Sequence, residues 1–196
     1  MSAITENRTA RVTTAATADR AGLATADLIL IAVLLAAGAV LKLTVGSFFQ
    51  QFGMKPNFII AMYCLAIILT RPKVGQAAAI GLIAGLICQI PMLNATPLLN
   101  LVSETLGAFV CGLLVRVPMR VGGKVDVAPF VDTFLSTFVS GATFALLAIF
   151  INVVLPGTGG VAAALVAYAL IVLGTAVFNA VLNTILVPPL RKVLKR

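Results

Sequence analysis

The chain has no tryptophan and no histidine, and only 10% of its 196 residues are charged. Without histidine, the three cysteines have no imidazole to share a metal with, and their spacing matches no metal-ligand motif. The sequence also contains no P-loop, no paired carboxylates and no nucleophile–base pair. We therefore predict no enzymatic activity, no metal and no cofactor. The cysteines are interpreted as small packing residues: Cys64, Cys88 and Cys111.

What the chain has in abundance is apolar surface. Hydrophobic residues make up 61% of the sequence, and its mean hydropathy is +1.12. This composition is typical of an integral membrane protein. The 14 basic residues outnumber the 6 acidic ones, but they lie at the ends of apolar runs and form no stripe on a soluble face. The expected partner is therefore the lipid bilayer and not a nucleic acid.

Six apolar runs divide the sequence, each about long enough to cross a bilayer alone or with its flanking residues. We predict an all-α membrane protein with six transmembrane helices, preceded by a disordered polar tail at 1–26 and followed by a basic terminus at 191–196. Pro129 is expected in a first helical turn and Pro188-Pro189 at a helix stop. The predicted spans are 27–46, 57–70, 74–91, 97–116, 129–155 and 161–187, within a membrane domain at 27–190.

The basic residues also predict the orientation. Threading six helices in order brings the tail, the second and fourth connections and the carboxyl terminus to one side, and these segments carry most of the Lys and Arg. Because positive loops stay in the cytoplasm, both termini are expected there. Asp132, at the start of the fifth span, is expected to pair at this side with Arg120 or Lys124.

Glu104 is the one carboxylate well inside a long apolar stretch, residues 97–115. Burying such a charge in a membrane costs roughly 3 kcal/mol or more, so an acid at this depth indicates a functional site. Asn100 lies one turn before it on the same helical face, toward the outer end of the span. Two interpretations remain open: Glu104 contacts a ligand from outside, or it pairs with a lysine, Lys42 or Lys55, and only holds helices together.

Further candidates follow from the same threading. Gln89 ends a small-residue face in the third span and is expected to reach the Glu104 recess or to bond another helix. Phe49 belongs to an apolar segment, 43–57, that either covers a cavity or rests on the bilayer surface. Tyr168 lies near the outer end of the sixth span. Asn179 and Asn183 lie deeper in that span, where contacts between helices are the favoured role.

The segment GMKPN at 53–57, the alanine pair Ala32 and Ala36 in the first span, and LNLVSETLGAF in the fourth carry a family resemblance. With about six spans in under 200 residues, the chain resembles the substrate-binding S components of the energy-coupling factor transporters. Their tryptophan-transporter branch is the most similar. The long Arg/Thr/Ala tail has no counterpart in that pattern.

The resemblance implies a non-enzymatic subunit of a bacterial or archaeal cell membrane that captures a small molecule from outside. It further implies partners: a transmembrane coupling subunit, docking on Ala32 and Ala36, and a pair of ATPases that power import. GMKPN, which ends at Asn57, would form part of the pocket entrance. An aromatic amino acid such as tryptophan suits an acid, bases and aromatic rings at one site. The alternatives are a vitamin as ligand, or a membrane scaffold of similar fold without a ligand.

Overall fold

In a computed structural model, six helices account for most of the chain. The structure describes residues 23–50, 57–90, 96, 98–122 and 125–195. A two-residue strand pair forms a small antiparallel hairpin between the fourth and fifth helices, and the fifth helix ends in a π-helical turn. The elements are α1 Thr25–Gln50, α2 Phe58–Thr70, α3 Val74–Ile87, α4 Leu99–Leu114, β1 Arg120–Val121, β2 Val125–Asp126, α5 Ala128–Ile149 with the turn Phe150–Val154, and α6 Val161–Val193.

The helix boundaries follow from local chemistry. Arg71 adopts a left-handed conformation with φ 46°, and its amide closes α2 by bonding the carbonyl of Ile67 at 2.8 Å. Pro72 follows, and the Lys73 amide then bonds the Gln76 side chain at 2.9 Å to start α3. The predicted tight hairpin between the second and third runs is therefore confirmed. Pro129 lies in the first turn of α5, as expected.

Two boundary predictions were wrong. The first helix runs to Gln50, four residues beyond the predicted end at 46, so much of the expected outer loop is helical. The sixth helix does not stop at Pro188-Pro189 but continues to Val193. Both prolines are exposed at the surface of the bundle. Proline also has a backbone φ close to the helical value, and here it removes only the hydrogen bonds to the exposed residues 184 and 185.

The second helix is the centre of the bundle. All its residues except Thr70 are buried, and it contacts each of the other five helices. At 13 residues it is only about 20 Å long, so it does not match the length of α1 or α6. Its first residues therefore lie inside the bundle. This position brings Asn57, which immediately precedes α2, against the middle of other helices.

The third and fourth helices approach each other closely through small residues. Gly81 lies against the backbone of Glu104 and the methyl group of Ala108, while Gly85 lies against the carbonyl of Asn100. Any side chain at either glycine would collide with the backbone of α4. The glycine face predicted for the third span is confirmed as a packing surface. This contact holds α4 in place with its polar face turned toward α2 and α5.

Basic residues gather at one end of the bundle, which we call the basic end and define by Arg71, Arg116 and Arg191. Arg116 donates to the carbonyls of Gly112 and Pro72, and Arg191 forms a 2.8 Å ion pair with Asp126. The predicted pairing of Asp132 was wrong for Arg120, and Lys124 lies outside the described residues. Asp126 holds the ion pair instead, because it precedes α5 on the exposed hairpin.

Length and composition agree with a membrane protein. Three helices are long and apolar enough to cross a bilayer: Thr25–Gly46 within α1, Ala128–Val154 and Val161–Val193. The other three are apolar but shorter, and the two longer ones among them pack side by side. The chain is therefore an α-helical membrane protein. Six complete spans and the cytoplasmic position of the termini remain predictions.

Candidate ligand-binding site

Glu104 lies at the centre of a buried polar cluster. Its side chain is 1% exposed, and each carboxylate oxygen accepts one hydrogen bond. Asn57 Nδ2 donates to Oε1 at 2.8 Å, and Ser140 Oγ donates to Oε2 at 3.0 Å. A carboxylate has about four lone-pair positions, so it can accept more than these two hydrogen bonds. The cluster thus holds an acid in place and leaves it capacity to bind.

Asn57 joins three helices at this level. Its amide reaches Glu104 on α4, while its backbone carbonyl accepts a 3.3 Å hydrogen bond from Asn179 Nδ2 on α6. The same Asn179 nitrogen lies 3.4 Å from Thr137 Oγ1 on α5. Because α2 begins at the next residue, its first amides and the positive end of its dipole also point into this region.

Tyr63, on α2, places its hydroxyl in the cluster. Tyr63 is fully buried, and its hydroxyl lies beside Gly107. The hydroxyl also interacts electrostatically with Glu104. Gly107 has no side chain, and any there would collide with this hydroxyl and with Ser140. The glycine therefore makes the room in which Tyr63 and Ser140 approach the acid.

Several buried oxygens of the cluster lack an ordinary hydrogen bond within the described part of the chain. They are Asn57 Oδ1, Asn179 Oδ1 and the Tyr63 hydroxyl. An unsatisfied buried polar atom costs about 1–3 kcal/mol, so such atoms usually have a partner that is not a protein side chain. Amide oxygens and a carboxylate accept hydrogen bonds from cations of the ammonium type. The oxygens of the cluster are able to accept hydrogen bonds from an amino group.

Lys42 supplies a positive charge nearby without contacting the acid. It is half-buried on α1, and its Nζ lies 3.8 Å from the sulfur of Cys88. The charge of Lys42 acts on Glu104, but the two side chains do not form an ion pair. Within the described ranges, the ion pair is between Arg191 and Asp126, at the basic end. Lys42 and Glu104 therefore form no direct salt bridge. Lys55, the other lysine considered, lies outside the described residues.

The remaining candidates are placed as follows. Asn100 is 2% exposed, one turn before Glu104 on the same buried face. Gln89, which follows α3, donates to the carbonyl of Gly85 in that helix at 2.8 Å. Phe49 lies in α1, and its side chain is outside the described part. Tyr168 is half-buried, eleven residues before Asn179, which is about 16 Å along the axis of α6. The structure therefore does not bring Tyr168 next to Glu104.

Comparison with known proteins identifies the family. The family described as "Tryptophan transporter TrpP" matches residues 24–195. The chain belongs to the TrpP family of tryptophan transporters. A "Probable tryptophan transport protein" of Bacillus subtilis (strain 168) is 31% identical to it over 176 residues, covering 88% of this chain and 94% of that protein. No solved structure matches the chain.

As a TrpP-family member, the chain is a membrane transport protein, and the predicted resemblance is confirmed at that level. The polar cluster lies within the matched residues. Membership of a transporter family also favours transport over enzymatic activity. The described residues include no group of three His, Cys, Asp or Glu side chains able to hold a metal ion.

The TrpP-family chain also leaves a small-residue face uncovered on its first helix. Ala32 and Ala36 are exposed, whereas Ile31 and Leu35 are buried in the core. Gly38 lies against α2, close to Ile59 and Met62. The alanines therefore do not pack against the described part of the chain, where their surface is open to the bilayer or to another helix.

Sequence reasoning missed several residues of the cluster. Ser140, Thr137, Tyr63 and Asn179 were not predicted as site residues, although Asn183 has the predicted role. Asn183 Nδ2 bonds the carbonyl of Ala61 and Thr133 Oγ1, joining α6 to α2 and α5. One signal was available in the sequence: hydroxyl residues recur along one face of α5 at 133, 136, 137 and 140.

Proposed function

We propose that this chain captures tryptophan, or a related aromatic amino acid, from the outer side of a bacterial or archaeal cell membrane. The single observation that carries the proposal is the buried Glu104, held by Asn57 and Ser140 among acceptor oxygens. Family membership supports tryptophan over a vitamin, and transport over a scaffold role.

The proposed pose follows from charge. The α-ammonium group binds Glu104, with Asn57 Oδ1 and Asn179 Oδ1 as further acceptors. The α-carboxylate lies toward Lys42 and the amino-terminal end of α2, where a positive charge and the helix dipole both favour an anion. We assign Asn100, Gln89, Phe49 and Lys55 to the same ligand region, as predicted from the sequence. Tyr168 is left out, because it lies too far along α6 from Asn179.

The proposed orientation places the basic end in the cytoplasm. The ends of α2, α4 and α6 and the start of α1 meet there, and these connections carry most of the Lys and Arg of the chain. Glu104 lies toward the opposite end, which would face outward. Both termini are then cytoplasmic, in agreement with the positive-inside rule.

We further propose that the chain works as the S component of an energy-coupling factor transporter. The exposed alanines Ala32 and Ala36 would receive a helix of the transmembrane coupling subunit, since small residues let two helices approach closely. The chain itself has no P-loop, so ATP hydrolysis would come from a pair of partner ATPases.

Ligand capture can be tested by fluorescence. The chain contains no tryptophan, so the protein adds no indole signal of its own to that of added tryptophan. We expect saturable binding of tryptophan to the detergent-solubilised protein, much tighter than that of alanine in competition. Equal, weak binding of both amino acids would remove the tryptophan assignment, and preferential binding of a vitamin would support the alternative ligand.

Partner docking needs a separate test. Ala36→Leu enlarges the exposed face of α1, while Ala167→Leu makes the same change on the exposed surface of α6. With a co-expressed coupling subunit and its ATPases, we expect Ala36→Leu to lose co-purification and Ala167→Leu to keep it. Both should bind tryptophan normally. Uptake by the chain alone in vesicles, without the ATPases, would contradict the S-component role.

A further inference from the structure

A continuous buried face of α5 runs from the Glu104 cluster toward the basic end. Its five polar residues are each at most 1% exposed, and we call them the polar column: Asp132, Thr133, Ser136, Thr137 and Ser140. They lie on successive turns, so the column is about 12 Å long from its first residue to its last.

Side chains of the neighbouring helices complete the column at each level. Ser140 donates to Glu104, and Thr137 meets Asn179. One turn further, Cys64 Sγ lies 3.1 Å from Ser136 Oγ, which itself donates to the carbonyl of Gly107. Thr133 accepts from Asn183 at 3.0 Å. Each level thus adds polar atoms from α2, α4 or α6 to those of α5.

The column connects two buried carboxyl groups. Asp132 ends it and is 1% exposed, yet it forms no ion pair with any described residue. It borders a recess of about 60 Å³ at the basic end, also lined by Arg71, Asp126 and Arg191. That volume admits several water molecules. Water can therefore reach Asp132 from the basic end, although the bulk of the column is closed.

Buried acceptors without partners follow the whole column. Among the described residues, no ordinary hydrogen bond reaches Asp132 Oδ1, Asn183 Oδ1, Asn179 Oδ1 or the Tyr63 hydroxyl. A buried oxygen without a protein partner is a position where a bridging water can be held.

We propose that the polar column is a proton path between Glu104 and the basic end. Asp132 gives its proton to the column and takes another from water in the recess. Ser140 gives its hydroxyl proton to Glu104 Oε2, to which it already donates. It receives a proton in turn from the next hydroxyl group of the polar column, nearer the basic end. The net change is one proton moved from the recess to Glu104, with no oxidation or reduction. Chains of buried acids and polar groups perform such relays in transporters.

The charged and titratable groups around the two acids come from several elements. Glu104 faces Lys42 from α1, Tyr63 from α2 and Cys88 after α3, while α5 and α6 present only the uncharged Ser140 and Asn179. Asp132 faces Asp126, Arg71 and Arg191, and Cys111 from α4. If the proposed function holds, protonation of Glu104 removes the charge that binds the ammonium group, and the ligand is released.

The test follows the protonation of Glu104 itself and needs no ligand. After a drop in pH, stopped-flow infrared spectroscopy of the purified protein should show a carboxylic-acid band that is missing in Glu104→Gln. We expect the band to appear at least tenfold more slowly in Asp132→Asn and in Thr133→Val. Thr184→Val is the matched control, because Thr184 bonds only the Ala180 carbonyl of its own helix, and its rate should equal that of the wild type.

Equal rates in all variants would overturn the proposal, since the proton would then reach Glu104 by another route. Absence of a Glu104 band in the wild type would overturn it as well. Thermal unfolding of each variant checks that it is folded. If Asp132→Asn does not fold, Thr133→Val alone tests the proposal. If the wild type does not bind tryptophan, the proposed function is contradicted. The infrared result does not depend on the ligand, so the two tests can fail separately.

Discussion

Asn57 and Glu104 are 47 residues apart in the sequence, and the amide nitrogen of the first lies 2.8 Å from a carboxylate oxygen of the second. The contact exists because α2 is short and begins inside the bundle, directly after Asn57. An acid that would be costly in an apolar helix is thereby held by a neutral donor. The positive charge of Lys42 stays nearby and does not pair with it.

Removing the amide of Asn57 should weaken both the fold and the site. Asn57→Ala leaves Glu104 Oε1 without its donor, which costs about 1–3 kcal/mol when the acceptor stays buried. We expect a lower unfolding temperature in detergent and at least a tenfold loss in tryptophan affinity. Asn57→Gln, which keeps the amide, should recover part of the affinity. If Asn57→Ala binds tryptophan as the wild type does, the contact does not organise the site.

Gly107 and Tyr63 should be coupled. A methyl group in Gly107→Ala meets the Tyr63 hydroxyl and Ser140, so the variant should lose about 1–3 kcal/mol of stability and some tryptophan affinity. Tyr63→Phe removes the hydroxyl, and the double variant should be less destabilised than the sum of the two single ones. A double-mutant cycle of unfolding free energies measures this. Simple additivity would show that the hydroxyl does not limit the space at Gly107.

The contact between α3 and α4 predicts a contrast between two glycines. Gly81→Ala would drive a methyl group into the backbone of Glu104 and Thr105, which cannot move aside as a side chain can. We expect a loss of several degrees in thermal stability. Gly75→Ala, in the same helix, meets nothing within 4 Å and should be neutral or slightly stabilising. Equal melting temperatures for the two variants would contradict the close approach.

The sequence predicts the helices well because their boundaries are chemical. Apolar runs end at prolines and basic residues, and α2, α3, α5 and the start of α6 begin within a residue of prediction. Pro188-Pro189 misled because proline stops a helix only when its ring clashes or its missing donor matters, and here both residues are exposed. Local sequence does not reveal that exposure.

The site was predicted only in part. Glu104 stands out because a single acid in an apolar run is rare, and its burial is confirmed. Ser140 and Thr137 do not stand out, because Ser and Thr in helices commonly bond their own backbone and so occur on any face. Asn179 joins helices, as predicted, but its contact with Asn57 beside Glu104 was not predicted, since it depends on the early start of α2 inside the bundle. Such contacts depend on how far neighbouring helices are shifted along their axes relative to one another. The sequence of one apolar run does not determine that shift.

The most direct test of the central claim, that Glu104 binds the ammonium group of the ligand, compares two ligands with two proteins. Tryptophan and indole-3-propionate share the indole and the carboxylate, and only tryptophan has the ammonium group. We predict that the wild type binds tryptophan at least tenfold more tightly, and that Glu104→Gln abolishes this preference while indole-3-propionate binds as before. Indole fluorescence reports both ligands, because the protein contains no tryptophan. If Glu104→Gln still prefers tryptophan by the same factor, Glu104 does not contact the ligand.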